Sequence, residues 1–379
     1  MKKGLLISAL IVGLLTAFYF AGPRPEAISL DPSFPEIEES LSELEPYLAR
    51  RESAFVLRKD NEARILWADS IRQTKWVVLY LHGFSASQGE GAPLHQHIAE
   101  KLGANLLLAR LAGHGYQKNQ LGEYTATGAW EDAKEYLALA EKMGQKVLIM
   151  GTSTGCSYAL NLAAEFPEKV AGLINLSPNI RVKDPNALLL DDPWGEQIAH
   201  LVLGEKRRVV SDSVGHALYW DTLYTVHALV ELENLLESTL IPETFAKVKQ
   251  PVLNLCYYKS DTEQDPVVSV EKIEWMHALL GTAVNQKRLV KLDKVGNHVL
   301  GSPIKSKDVP GTEKAITKFL NEILLSENLF SCTAILCNPL LLCFDEFWLS
   351  SILLGTVRPE HTAAHPPLQF TKTKNRFLF

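Results

Sequence analysis

The segment Gly151-Thr152-Ser153-Thr154-Gly155 has residue types and spacing that suggest chemistry. An apolar run at 147–150 precedes it and predicts a short buried strand, while residues 157–166 carry apolar side chains at helical spacing. A strand that passes into a helix through two glycines makes a tight turn, which strains the backbone of the residue at its apex and exposes that side chain. We therefore predict that Ser153 is a nucleophile. The alternative is a glycine-flanked serine in an ordinary strand–helix turn.

A serine hydroxyl is a weak nucleophile and needs a general base, which a carboxylate must orient. His298 is the predicted base because it lies in a glycine-containing loop after the last predicted strand. His82 and His114 are rival bases, but they follow earlier strands. Asp261 and Asp265 both lie in the loop where the acid is expected, and we favour Asp265 because a proline and two valines follow it directly. The order serine, aspartate, histidine is the one expected for such a turn.

The oxyanion of a tetrahedral intermediate needs two hydrogen-bond donors. The first predicted donor is the backbone N–H of Thr154, which follows the nucleophile at the start of a helix. The second is the backbone N–H of Phe84, in the loop after an apolar run at 76–81. We expect His82 to shape this loop rather than to take part in the chemistry.

The elements that position these residues alternate between strands and helices, which predicts an α/β fold with a mostly parallel, doubly wound sheet. The predicted strands lie at 76–81, 105–108, 147–150, 170–176, 251–258 and 287–292. The alternation stops at 178–248, which we interpret as an inserted helical lid over Ser153. Trp220 and Tyr224 are its predicted substrate-binding residues. The alternative is that these aromatic side chains only hold the lid together.

The segments outside the sheet pattern predict the domain organisation. Residues 1–22 combine Lys2 and Lys3 with an uncharged apolar run, which indicates a membrane anchor with a transmembrane helix or a cleaved signal. Either interpretation places the rest of the chain, which we call the body, at a membrane on the extracytoplasmic (periplasmic) side. Residues 23–62 are predicted to be a linker, 63–325 the catalytic domain with its lid at about 178–248, and 326–379 a C-terminal appendage. A second membrane-active segment is the alternative for that appendage.

Composition excludes some classes of function. The chain has 379 residues, 46% of them hydrophobic, which is normal for a globular protein with a large core. The net charge is −6 and no run of lysine and arginine is long enough to build a phosphate-binding stripe, so nucleic acid is not an expected partner. The five cysteines show no metal-ligand spacing with each other or with histidine. We expect no cofactor and no metal, and the sequence does not predict the oligomeric state.

Several motifs in this order resemble the α/β-hydrolase superfamily, and within it bacterial monoacylglycerol lipases and carboxylesterases. The matching segments are 81–84, 110–115, 151–155, 265–268 and 296–298, within residues 63–325. The resemblance implies an α/β-hydrolase fold and a triad of Ser153, Asp265 and His298. The loop between Tyr258 and Asp265 is longer than the usual family pattern.

The expected function is a serine carboxylic-ester hydrolase of the esterase or lipase type. Its substrate would be a small-molecule ester or a lipid such as an acylglycerol, and an acyl-enzyme would form on Ser153. An acyltransferase or thioesterase would use the same triad. The alternative from another class is a non-catalytic, membrane-tethered binding module. The sequence does not predict the acyl chain length.

Overall fold

The central sheet is built on strands whose side chains are mostly apolar and buried. The computed structural model describes residues 2–209, 211 and 213–325, and the predicted appendage 326–379 lies outside these residues. The sheet strands are β1 (Arg64–Leu66), β2 (Thr74–Leu81), β3 (Asn105–Leu108), β4 (Gly144–Thr152), β5 (Val170–Leu176), β8 (Val252–Ser260), β9 (Glu263–Gln264) and β10 (Lys287–Leu292). Their order is β1-β3-β2-β4-β5-β8-β10, with β9 paired to β8. Only β1 and β9 pair antiparallel in this sheet, so the carboxyl ends of the other strands meet at one edge.

Helices cover both faces of this sheet. Outside the 178–248 segment, the helices of the chain are α1 (Lys2–Phe20), α2 (Leu44–Glu52), α3 (Leu94–Leu102), α4 (Ala126–Met143), α5 (Thr154–Glu165), α10 (Val270–Leu279) and α11 (Val309–Phe319). Successive side chains of a strand point to opposite faces, and β2 shows the result. Val77 and Leu79 belong to a buried cluster that includes residues of α4, α5 and α10, whereas Val78 and Tyr80 belong to a second cluster that includes residues of α3 and α11. The predicted α/β-hydrolase fold is confirmed.

The 178–248 segment forms its own set of short elements between β5 and β8. They are a 3-10 helix (Pro185–Asp191), α6 (Gly195–Leu203), β6 (Lys206–Arg208), α7 (Val214–Tyr219), β7 (Leu223–Thr225), α8 (Val226–Thr239) and α9 (Pro242–Lys247). The pair β6–β7 is antiparallel and was not predicted. α8 packs on the body through buried Ala228, Leu235 and Leu236. That this segment acts as a lid stays a prediction.

Residues 23–62 lie along the body rather than extending away from it. Asp31 accepts a hydrogen bond from the Lys134 ammonium at 3.1 Å, and Phe34 packs edge-on against Phe166 with ring centroids 4.8 Å apart. Glu52 binds the Arg110 guanidinium at 2.5 and 2.9 Å, with both side chains buried. The segment predicted as a linker therefore makes polar and apolar contacts with the domain. The proposed domain boundaries themselves stay predictions.

The N-terminal helix α1 exposes apolar side chains around its surface. Phe18 stacks on Trp194 of the 178–248 segment, with ring centroids 5.0 Å apart. Among the residues that the structure describes, no helix is long and apolar enough to cross a membrane. The predicted transmembrane helix is therefore not supported.

Candidate active site

Ser153 occupies the turn between β4, which ends at Thr152, and α5, which begins at Thr154. Its φ of 53° and ψ of −118° put a non-glycine residue in a conformation that costs about 1–3 kcal/mol. Surrounding hydrogen bonds hold it there. Its N–H donates to the Leu176 carbonyl at 2.9 Å, and its own carbonyl accepts the Asn179 N–H at 3.1 Å.

The two glycines of this turn are required by close packing. A Cβ on Gly155 would lie 2.1 Å from the Leu81 carbonyl oxygen at the end of β2. A Cβ on Gly151 would lie 2.8 Å from the backbone nitrogen of Cys156. Real Cβ atoms do not approach neighbours so closely, so larger residues at these positions would displace β4 or α5 and with them Ser153.

His298 and Asp265 form a hydrogen-bonded pair in the loops after β10 and β8. The His298 Nδ1–H donates to the Asp265 carboxylate, 2.8 Å from Oδ2 and 3.1 Å from Oδ1. Asp265 is fully buried and His298 is 7% exposed. The backbone N–H groups of Val267 and Val268 donate to Asp265 Oδ1 at 2.8 and 3.0 Å, which fixes the carboxylate.

The alternative acid, Asp261, lies elsewhere. It occupies the turn between β8 and β9, where it is exposed and accepts a hydrogen bond from the Tyr258 hydroxyl at 2.5 Å. β8 and β9 form a short hairpin that takes up the longer loop and returns the chain to Asp265. The geometry therefore brings Asp265, and not Asp261, to His298.

The charges of this pair stabilise each other. Burial alone would raise the pKa of Asp265, but the charge of His298 and hydrogen bonds from His298 and the backbone lower it below its ordinary value. Burial alone would lower the pKa of His298, but the charges of Asp265 and Glu90 and the hydrogen bond to Asp265 raise it. Asp265 is therefore ionised at neutral pH and orients a histidine whose protonated form is stabilised.

A short stretch after β5 connects the serine turn to the histidine loop. The Leu176 carbonyl accepts the Ser153 N–H, and the next residue, Ser177, donates its hydroxyl to the His298 carbonyl at 2.7 Å. Ser153 and His298 are thus held by adjacent residues at the carboxyl edge of the sheet.

The loop after β2 carries Phe84, the predicted second oxyanion donor. A Cβ on Gly83 would lie 2.9 Å from the Ser153 Cβ, so this loop passes directly beside the serine. The Gly83 carbonyl accepts hydrogen bonds from the Ala86 N–H at 3.1 Å and from His82 Nδ1 at 2.9 Å. Because a peptide unit is planar, holding the Gly83 carbonyl also fixes the direction of the Phe84 N–H.

His82 supports the loop as a neutral imidazole. Its Nε2 accepts the Leu111 N–H at 3.1 Å, so the proton lies on Nδ1, which donates to Gly83. Burial lowers the pKa of His82 to about 4. Burial also lowers the pKa of His114 well below its ordinary value, and this ring packs on His82 and Phe84. Neither rival histidine contacts Asp265 in the hydrogen bonds described.

The two predicted substrate-binding residues lie next to the same loop. The Tyr224 hydroxyl is 2.8 Å from the Ser85 hydroxyl, and its ring packs edge-on against Phe84 at 5.5 Å. Trp220 is 6% exposed and packs with Ala86 and Val299. Substrate binding by either residue stays a prediction.

Glu90 is a residue of the site that the sequence did not indicate. It ends a 3-10 helix (Gln88–Glu90), is 2% exposed, and its Oε2 accepts the Gly83 N–H at 2.7 Å. Burial raises the pKa of Glu90 to about 7. A glutamate between two glycines shows no pattern that would assign it to the site. Among the described residues, no cluster of three or more histidine, cysteine or acidic side chains could hold a metal ion.

Comparison with known proteins agrees with this fold. Residues 72–216 match the model of the family described as "Serine aminopeptidase, S33". A structure of metagenome-derived lipolytic enzymes LipS and LipT is similar with a TM-score of 0.56 and 21% identity, over 70% of this chain and 99% of that one. A soluble variant of monoglyceride lipase from Saccharomyces cerevisiae gives a TM-score of 0.53 and 14% identity, over 68% and 90%.

A thermostable carboxyl esterase from Bacillus coagulans gives a TM-score of 0.52 and 16% identity, over 70% of this chain and 94% of that one. No curated protein sequence matches the chain. At these identities the structures show a shared fold. The chain therefore has an α/β-hydrolase fold, and part of it matches the model of a hydrolase family.

Proposed function

We propose that this chain is a serine hydrolase that cleaves carboxylic esters through an acyl-enzyme on Ser153. One observation carries the proposal: the buried Asp265–His298 pair lies at the sheet edge where Ser153 is held in a strained turn. A serine with only a structural role does not require a strained backbone. A buried histidine–aspartate pair supplies the oriented general base that a weak serine nucleophile needs.

The reaction uses these groups in two steps. His298 takes the proton from the Ser153 hydroxyl as its oxygen attacks the ester carbonyl carbon, while the N–H groups of Thr154 and Phe84 stabilise the oxyanion. The tetrahedral intermediate collapses, His298 protonates the departing alcohol, and an acyl-enzyme remains. Water, deprotonated by His298, then attacks the acyl carbonyl carbon, and His298 returns the proton to Ser153 Oγ as the acyl–oxygen bond breaks and the carboxylic acid leaves. Asp265 stabilises the imidazolium in both steps.

An acyl ester of low polarity is the proposed substrate. Phe84 packs against Tyr224 and against Tyr124, so the loop beside Ser153 is bordered by aromatic rings. The similar structures include lipolytic enzymes and a monoglyceride lipase, which supports an ester of this kind. Acyl transfer or thioester cleavage by the same triad is the alternative.

A second candidate is amide hydrolysis, which the description of the matching family favours because it names an aminopeptidase. The experiment compares purified wild type with Ser153→Ala in three assays: fluorophosphonate labelling, p-nitrophenyl esters of increasing chain length, and aminoacyl p-nitroanilides. The proposal expects labelling and ester turnover in wild type only. Faster cleavage of the anilides would favour the aminopeptidase, and an unlabelled wild type would favour a binding module.

Association with a membrane surface belongs to the same proposal. α1 exposes large apolar side chains over its length: Leu5, Leu6, Ile7, Leu10, Ile11, Val12, Leu14, Leu15, Phe18 and Phe20. α6, beside it, exposes Ile198, Leu201 and Val202. Flotation with phospholipid vesicles tests the binding, and removal of residues 1–22 should abolish it while ester hydrolysis continues. Binding that persists in the truncated chain would argue against α1 as the anchor.

The predicted extracytoplasmic location of the body needs a separate test. It is proposed from Lys2 and Lys3 before the apolar run, which is also the pattern of a secretory signal. An alkaline phosphatase fused to the C-terminus is active only outside the bacterial cytoplasm, so an active fusion is expected. An inactive but intact fusion would argue for a cytoplasmic body.

A further inference from the structure

Glu90 is a buried carboxylate to which the proposed mechanism gives no role. Its Oε2 accepts the Gly83 N–H at 2.7 Å, and the Trp220 side chain lowers the pKa of its carboxyl group. We propose that Glu90 is a positioning residue for ester hydrolysis: it holds the loop that presents the Phe84 N–H and places a second negative charge beside His298. This inference rests on the proposed function and deepens it.

Two other parts of the molecule, α7 and the loop of His298, pack against the backbone around Glu90. The Tyr219 ring of α7 lies against Gly89, so closely that a Cβ there would be 2.2 Å from the ring. On the other side, a Cβ on Gly301 would lie 3.1 Å from the Gly91 Cα. Gly301 belongs to the loop of His298. The position of Glu90 is therefore set jointly by the 178–248 segment and by the histidine loop.

Glu90 completes the set of bonds that orient the oxyanion loop. The Gly83 carbonyl is held by His82 and Ala86, and Glu90 holds the N–H of the same residue. Both peptide units that flank Gly83 are thus fixed, including the one that contains the Phe84 N–H. Oxyanion donors act through being oriented before the reaction, so loosening this loop should lower kcat rather than substrate binding.

The charge of Glu90 acts on His298 in addition to that of Asp265. The titratable groups that interact with Glu90 are His298, Tyr80 of β2 and Cys156 of α5. His298 also faces Asp265. Since tyrosine and a buried thiol are neutral near pH 7, the imidazolium is the cation that Glu90 stabilises. Removing the charge of Glu90 should lower the pKa of His298.

The test uses the full-length chain with Glu90→Ala, Glu90→Gln and a matched control, Glu233→Gln. Glu233 on α8 is 1% exposed, and burial likewise raises its pKa to about 7. Glu90→Ala should lower kcat by about 10–100-fold with KM changed less than about 2-fold. Glutamine keeps one oxygen for the Gly83 N–H but carries no charge. Glu90→Gln should therefore move the acid limb of kcat/KM to lower pH, and Glu233→Gln should not.

Each outcome bears on the inference. If Glu90→Ala does not fold, the pH profile of Glu90→Gln decides. If the pH profile of Glu90→Gln coincides with those of wild type and the control, the charge of Glu90 does not act on His298. If a folded Glu90→Ala keeps the kcat of wild type, Glu90 does not position the oxyanion loop. A wild type that fluorophosphonate does not label would overturn the proposed function and this inference together. A labelled wild type with unaltered Glu90 variants would overturn the inference alone.

Discussion

Asparagine at position 265 should almost abolish activity while leaving the fold intact. Asp265 Oδ1 accepts two backbone N–H groups, at 2.8 and 3.0 Å, and an asparagine oxygen can accept both. The side-chain amide nitrogen then occupies the place of Oδ2, 2.8 Å from His298 Nδ1. Because that nitrogen can only donate, the imidazole must carry its proton on Nε2, where it cannot accept the proton of Ser153.

The expected loss in kcat is about 10³–10⁴-fold, or roughly 4–5.5 kcal/mol of transition-state stabilisation. Asp261→Asn is the matched control, since this carboxylate is exposed and bonded to Tyr258; its activity should stay within about 2-fold of wild type. The assay is p-nitrophenyl ester hydrolysis at saturating substrate, with thermal unfolding of each variant. A smaller loss in Asp265→Asn than in Asp261→Asn would refute the tautomer reasoning.

Three further predictions concern packing, charge and pH. Gly155→Ala should lower the stability by about 1–3 kcal/mol, seen as a lower Tm, because its Cβ would lie 2.1 Å from a carbonyl oxygen. Arg58→Ala should destabilise by about 3–5 kcal/mol in urea unfolding, because it leaves the fully buried Asp221 without its cation. Arg72→Ala, which removes an exposed ion pair, should change the stability by less than about 1 kcal/mol. Finally, kcat/KM should fall as the pH decreases, because only the neutral form of His298 is a base. The midpoint of this fall should lie above pH 6.5, because neighbouring carboxylates raise the pKa of His298. A midpoint below pH 6.5 would contradict this.

The fold was predictable because the signals for it are local. The apolar run at 76–81 lies within β2 (Thr74–Leu81), and the run at 147–150 lies within β4 (Gly144–Thr152). The turn at Ser153 is likewise encoded within five residues, because two glycines permit the close approach of β4 and α5. Within residues 23–62, predicted to be a linker, the chain forms a short 3-10 helix (Leu41–Glu43) and then α2 (Leu44–Glu52). Pro46 lies in the first turn of α2, the part of a helix that tolerates proline.

The parts of the site that the sequence did not indicate depend on contacts between distant residues. Asp261 and Asp265 could not be separated by their spacing alone, because the distinction arises from the hairpin of β8 and β9. Glu90 could not be recognised because its partners, Gly83, Trp220 and His298, come from three separate parts of the chain. The docking of residues 23–62 could not be predicted for the same reason, because its partners, such as Lys134 and Arg110, lie far along the chain.

The central claim is that Ser153 is the nucleophile, and mass spectrometry of the protein after reaction with a fluorophosphonate tests it most directly. We expect one phosphonyl adduct per chain, located by peptide mapping on the peptide that contains Ser153. Ser153→Ala should carry none, and His298→Ala should react much more slowly because the base is missing. An adduct on another residue, or equal labelling of wild type and Ser153→Ala, would contradict the proposed mechanism.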